Sequence, residues 1–289
     1  MSDFVQQQHT ICNFSNEESW VILSPIEQSI KQKIESVGTP LKDWDIKIYR
    51  GVLTGYNDAF IISTEKRDEI LANCQTEEER QLTAELIRPI LRGRDIKRYG
   101  YNWADLWLIA TFPSRHYDIE MYPAVKAHLD QYWDKISKRA DKGDTPYNLR
   151  NCAYLEDFFK PKVMWKIIGC NINFSFDDGT MICNNAVDIM TGQRNQLLQF
   201  LGLMNSKLFD WYLKLTTEAE VQGGGIQLYV TTLEKTLVKL DFPLYLSEII
   251  NQRVNGIASD KEVDNTIFES YKLTQEEIDY ILTCKQVDR

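Results

Sequence analysis

A chain of 289 residues, 43% of them hydrophobic and 26% charged, has the composition of an ordinary globular protein and the length of one large domain or two small ones. A net charge of −9 excludes a nucleic-acid binder that works by overall charge, and leaves open one that works through a local basic surface. The longest apolar run, Leu106 to Phe112, is far short of the roughly 20 residues of a membrane helix, and the polar start from Met1 to Gln8 has no signal-peptide core, so a cytoplasmic chain without a membrane partner is expected.

Residues 1–23 read as irregular. Ser24-Pro25 then starts a helix, with Ser24 as cap, Pro25 in the first turn and Glu27 completing a capping box. Ile26, Ile30, Ile34 and Val37 recur at helical spacing until Gly38. Ile46, Ile48, Tyr49 and Leu53 read as strand, Gly55-Tyr56-Asn57-Asp58 as a turn, and 59–63 as the returning strand. Helices are expected over 64–73 and 76–91, the second with Leu82, Leu86, Ile87 and Ile90 as its apolar face. A buried strand over 106–111 precedes a long amphipathic helix over 122–140, built on Val125, Leu129, Trp133 and Ile136.

Strand signals follow at 162–168, 172–176, 181–183 and 186–190. A helical hairpin or one kinked helix is expected over 195–215, a break at Gly223-Gly224-Gly225, strands at 226–230 and 237–243, and acidic helices over 244–284. The order is mixed rather than regularly alternating. It implies an α+β fold, a sheet-based core with flanking helices and a helical C-terminal extension.

Six cysteines, Cys12, Cys74, Cys152, Cys170, Cys183 and Cys284, form no close-spaced pair and read as reduced thiols. His9 and Cys12 have ligand-like spacing, but no second pair complements them, so no metal site is expected.

Three stretches carry candidate binding chemistry. In Thr54-Gly55-Tyr56-Asn57-Asp58 the simplest reading is a β-turn whose Asn and Asp satisfy local amides. A DNA-facing loop is the alternative, with Tyr56 at the surface and Asn57 able to pair with adenine N6 and N7. The segment 88–99 carries five basic residues against one acid. Within it Arg92, Arg94, Lys97 and Arg98 suit phosphates or guanine edges, and Gly93 permits close backbone approach. Against this stand a solvated helix end and an ion pair of Asp95 with one of the arginines.

Lys160, Lys162 and Lys166 share one face if the segment is a strand, which is either a binding face or a solvated one. Asn184-Asn185 is a turn with weak support for base reading. Gly223-Gly224-Gly225 lacks the Lys-Ser/Thr of a phosphate-binding P-loop. Lys135, Lys138, Arg139 and Lys142 alternate with acids and read as a solvated face.

The run Ile48 to Ile62, the run Ile87 to Tyr99, and in order after them Leu108-Ile109, Tyr122-Pro123, His128-Leu129, Pro161-Lys162-Val163, Leu201 to Tyr212 and Val263 to Ile278 together resemble one family. It is the C-terminal specificity (target-recognition) domain of TaqI-like adenine-N6 DNA methyltransferases and their fused type II restriction–modification relatives. The resemblance covers Leu41 to Ile281 and implies a reader of DNA sequence that performs no chemistry. It also implies a division into a junction segment with a helix over 1–40, the specificity domain over 41–243 and a helical extension over 244–289.

The family's S-adenosylmethionine-binding Gly motif and Asn-Pro-Pro-Tyr motif are absent from the chain. No catalytic residue, metal or cofactor is therefore expected in it. S-adenosylmethionine and Mg²⁺ would belong to missing catalytic domains. The implied partners are double-stranded DNA and a methyltransferase or nuclease catalytic domain or subunit. Two rivals remain open. Asp45-Ile46-Lys47 superficially matches a nuclease motif but lacks the preceding Pro-Asp, and His116 and His128 lack a nucleophile partner. The acidic tail could instead dock a catalytic subunit without DNA.

Overall fold

The computed structural model describes residues 23–169, 172–216, 220–221, 225–239 and 241–284; the His9/Cys12 pair and Gly223-Gly224 lie outside them. Four strands, Ile46–Arg50, Val187–Gly192, Lys162–Lys166 and Phe174–Asp177, form an antiparallel central sheet in that spatial order. Alternate side chains point to opposite faces. Val163, Trp165 and Met190 enter one core, while Met164, Val187 and Ile189 enter another.

The sheet is thus a wall between two cores. On the first face pack the helices Pro25–Val37, Arg194–Asn205, Lys207–Thr216, Leu244–Val254, Asp260–Ser270 and Gln275–Thr283. On the second lies another four-stranded sheet, in the order Ile61–Ser63, Leu106–Ile109, Ile87–Leu91, Ile182–Cys183, with the helices Thr64–Ala72, Glu77–Leu86 and Pro123–Asp130. A small ribbon, Glu220–Val221, Gly225–Gln227 and Ile168–Gly169, extends from the central sheet, and Gly38–Pro40 pairs with Leu237–Lys239. The architecture is mixed α+β, and the C-terminal segment is helical as expected.

The capping box at Ser24 forms: Ser24 N–H donates to Glu27 at 2.7 Å and Glu27 N–H to Ser24 Oγ at 3.4 Å. Ile30 and Ile34 are its fully buried stripe. The helix is tied to the far end of the sequence. Ser29 and Lys33 both reach Glu277, and Tyr280 donates to Glu27 at 2.8 Å. The 195–215 expectation resolves as two helices, broken at Ser206, whose hydroxyl accepts from Phe209 N–H at 3.2 Å.

Four local expectations are corrected. The 76–91 helix stops at Leu86, and Ile87–Leu91 is a strand paired with Leu106–Ile109. Pro89 has no N–H for a helical bond and biases Arg88 to extended backbone. The 122–140 helix is two pieces, Pro123–Asp130 and Trp133–Ile136. The chain leaves helical geometry at Tyr132, whose ring packs near Tyr56 and His128, so packing overrides the periodic signal.

Asn57–Phe60 is a single helical turn that buries Ala59 and Phe60, leaving only Ile61–Ser63 as strand. The strand expected at 226–230 is Gly225–Gln227 followed by a helix, Val230–Lys235.

Candidate nucleic-acid interface

The strand Val187–Gly192 is entered through the turn Asn184-Asn185-Ala186-Val187, closed by Val187 N–H donating to Asn184 O at 3.0 Å. Two Arg-Gly steps clamp it. A Cβ at Gly51 would lie 2.0 Å from the Asn184 carbonyl oxygen, so only glycine fits there. A Cβ at Gly93 would lie 3.3 Å from Ala186 O and 3.6 Å from Lys166 Cβ. Backbone bonds lock the contact: Gly51 N–H to Val187 O at 2.8 Å, Asn184 N–H to Leu91 O at 2.9 Å, and Ile167 N–H to Ala186 O at 3.1 Å.

Register gives the same placement. Arg50 stands opposite Asp188, Val187 opposite Lys166, and Trp165 opposite Phe174, so Arg50, Lys166 and the turn share one end of the central sheet. The 93–101 loop starts at that end, where Gly93 packs on Ala186, and runs along the edge strand, with Tyr99 bridging to Ser175 and Tyr101 donating to Asp177.

The four cations of the 92–98 segment divide into two kinds. Arg92 grips Asp95 with two parallel bonds, Nε to Oδ2 at 3.1 Å and an Nη to Oδ1 at 2.9 Å, and Asp95 also takes the Arg92 N–H at 2.8 Å. The ion pair left open by the sequence is therefore Arg92 with Asp95. Arg98 pairs with Asp260 at 2.8 Å and donates to Asn205 O, tying the loop to the C-terminal helices. Arg94 and Lys97 are exposed, and Lys97 Nζ donates to Arg94 O at 3.0 Å. Among the described residues Arg50, Arg94, Lys97 and Lys166 have no ion-pair partner. Arg50 and Lys166 thus stand at one end of the sheet without a salt bridge among the described residues, beside the loop that carries Arg94 and Lys97, in a chain of net charge −9.

Lys160 and Lys162 do not join them. Lys162 opposes Asp177 at the opposite end of its strand. Its side chain is fully buried, donating to Asp177 at 2.5 Å and to Phe158 O at 2.6 Å. A lysine with no surface cannot touch a nucleic acid, so its place on a binding face is corrected to a core ion pair. Lys160 is exposed but paired with Asp157 at 2.7 Å.

The loop bearing Tyr56 and Asn57 follows Arg50 and Gly51, and Val52 bridges to Asn184. Five residues of chain keep Asn57 within about 18 Å of that bridge. Asn57 is exposed and its Oδ1 accepts from Thr54 Oγ1 at 2.5 Å; Tyr56 is half-buried with its ring centroid 6.1 Å from Tyr132.

The loop is positioned by a residue whose sequence neighbours suggest a solvated face. Arg139 is only 8% exposed. Its guanidinium donates to the carbonyls of Thr54, Asp141, Pro146 and Asn148 and lies 4.3 Å from the Phe60 ring centroid. Burial pushes its pKa down to about 10 despite Asp141 nearby. Arg50, which sequence reasoning missed, had one visible signal, the Arg-Gly step it shares with Arg92-Gly93.

Asp188 is the other residue missed. It is 2% exposed, one of its oxygens has no hydrogen-bond partner, and it stands between Arg50 and Trp165 in register. Burial pushes its carboxyl up to about 6, against a smaller opposing pull from Arg50. Between the ordinary carboxylate range and pH 6 the folded protein holds a proton that the unfolded chain has released, so stability falls as pH rises through this window. Asp188→Asn should remove that slope. At pH 7.5 it should raise stability by an amount on the order of 2–3 kcal/mol, and at pH 4 by little. Denaturant titrations across pH read this directly; equal effects at both pH values would contradict it.

The rival catalytic groups are placed as follows. Asp45 and Lys47 are exposed, near the Ile46 end of their strand and away from Arg50. His128 is buried with Nε2 3.0 Å from Ala59 O, and burial lowers its pKa. Among the described residues no group of three or more His, Cys, Asp or Glu side chains could hold a metal ion, and no helix is long and apolar enough to cross a membrane.

The model of the TaqI-like C-terminal specificity domain family matches residues 88–236, a span that includes the 93–101 loop, Lys166 and the 184–186 turn. Among solved structures, the type IIG restriction endonuclease BpuSI superposes with a TM-score of 0.58 at 14% identity, over 89% of this chain and 32% of that one. The type IIL restriction–modification enzyme MmeI, solved in complex with DNA, gives a TM-score of 0.57 at 14% identity, over 84% of this chain and 35% of that one. The chain thus spans about a third of the length of either. No curated protein matches.

Proposed function

The chain belongs to the TaqI-like C-terminal specificity domain family, and from that premise we propose that it recognises a sequence in double-stranded DNA through the Arg50/Lys166 end of its central sheet. Methylation and cleavage are the work of a catalytic methyltransferase or nuclease part, in the same longer protein or in a separate subunit, with which this chain associates. The observation that carries the reading is the meeting of Arg50, Arg94, Lys97 and Lys166, all without ion-pair partners among the described residues, around a turn held rigid by two close-packed glycines. Arginine and lysine so placed neutralise phosphates and fix the register of a duplex, which leaves neighbouring side chains to read base edges. The net charge of −9 leaves little non-specific attraction to supplement them, so affinity of the chain alone should be weak and salt-sensitive.

Replacing Arg50, Arg94, Lys97 and Lys166 by Ala should weaken binding to all duplexes. It should also shallow the dependence of log K on log salt by roughly 0.9 for each phosphate that is no longer neutralised. Lys160→Ala, at the other end of the sheet, should change neither. Arg92 and Arg98 are left intact because each holds the loop in place. An unaltered salt slope in the fourfold variant would move the interface elsewhere.

A further inference from the structure

The geometry points to Asn185 as a base-reading residue that selects an adenine edge in the major groove. This deepens the DNA-recognition reading and rests on it. The turn around Asn185 is built for fixed presentation. Asn184 uses its side-chain oxygen internally, its Oδ1 accepting from Ala186 N–H at 3.2 Å. The backbone on either side is tied to Leu91, to Gly51 and to Ile167. The Asn185 carbonyl accepts from Arg50 Nε at 3.4 Å. Within the turn, the Asn185 amide is the side chain whose oxygen and nitrogen are both without a partner among the described residues; it is half-buried, at the second position of the turn.

A primary amide offers one acceptor and one donor side by side, the complement of adenine N6–H and N7. The cations Arg50 and Lys166 belong to the two segments that flank this turn, and the Gly93 loop carrying Arg94 packs on it. Phosphate contacts from them would hold a duplex while the amide reads it. Of the asparagines beside the interface, Asn57 and Asn184 already use their side-chain oxygens locally.

The test selects duplexes from a randomised pool with the full chain, with Asn185→Ala and with Asn184→Ala. The wild-type chain should yield a preferred site containing an adenine that Asn185→Ala no longer selects, a loss of about ten-fold or more in discrimination at that position alone. Replacing that adenine by 7-deazaadenine should weaken the wild-type chain and leave Asn185→Ala unchanged. Thermal melting should show Asn185→Ala folded as wild type, since its amide supports nothing. Asn184→Ala, which loosens the turn itself, should weaken every position. If Asn185→Ala keeps every preference of the wild-type chain, or if both respond equally to 7-deazaadenine, the assignment to Asn185 is wrong and DNA recognition stands. If the wild-type chain selects nothing at low salt, the DNA reading and this assignment fall together.

Discussion

Lys162→Met should cost the folded chain about 3–5 kcal/mol, a large part of the total stability of a domain. The reason is the neighbourhood of its partner rather than the ion pair alone. Asp177 accepts from Lys162 at 2.5 Å, from the backbone N–H groups of Gly179, Thr180 and Met181 at 3.0, 2.9 and 3.1 Å, and from the hydroxyls of Thr180 and Tyr101. Burial alone would push its carboxyl up, but Lys162, the Thr180 hydroxyl and the Met181 N–H outweigh burial and hold it below the ordinary carboxylate range. A depressed carboxylate stabilises the fold above its unfolded pKa and ceases to do so as pH falls through its folded one.

Removing the lysine leaves this carboxylate buried without its counter-charge. Asp177→Ala should cost at least as much, because it strands the Lys162 ammonium and three N–H groups together. The double variant should cost clearly less than the sum of the two. Urea titration gives all three numbers. Single-variant losses under 1 kcal/mol, or strict additivity, would mean that water reaches this pair and that it is not the lock described.

The second large effect is expected at Arg139. Arg139→Leu should destabilise the chain by an amount on the order of 3–5 kcal/mol, since it removes a donor from the buried Thr54 carbonyl and the part-buried Asp141 and Pro146 carbonyls, at about 1–3 kcal/mol each. The Asn148 carbonyl keeps only Gly143 N–H, and water entering the space relieves part of the loss. Arg139→Lys should recover only part of the loss. An ammonium has three donors for four carbonyls and no flat face to lie on Phe60. The loosening should be local as well as global. Amide exchange should quicken in 54–58 and 141–149, the two segments that Arg139 joins, before it quickens in the central sheet. Uniform acceleration across the protein would show that Arg139 does not position the loop of Tyr56 and Asn57.

Several features were legible along the chain because each is decided by neighbours in sequence. The capping box at Ser24 and Glu27, the Ile30 and Ile34 stripe and the strand character of 46–50, 162–166 and 187–190 follow from local chemistry and periodicity. The mixed order of elements implied an α+β fold, and the concentration of cations from Arg88 to Arg98 stood out as a local basic segment in an acidic chain.

Tertiary structure alone decided which of those cations are free. Arg92, Arg94, Lys97 and Arg98 are alike in sequence, but Asp95 claims the first and Asp260, far along the chain, the last. Lys162 and Lys166 have the same spacing parity, but strand pairing sets Lys162 against Asp177 in the core and Lys166 beside Gly93 at the rim. Arg139 reads as one more charge on a polar helix until the Thr54 and Asn148 carbonyls are folded onto it. Charge and periodicity belong to a residue and its neighbours in the chain, so sequence determined the elements and the fold class. Burial and pairing belong to residues brought together by the sheet, so only the fold separated the cations that hold it from those without an ion-pair partner among the described residues.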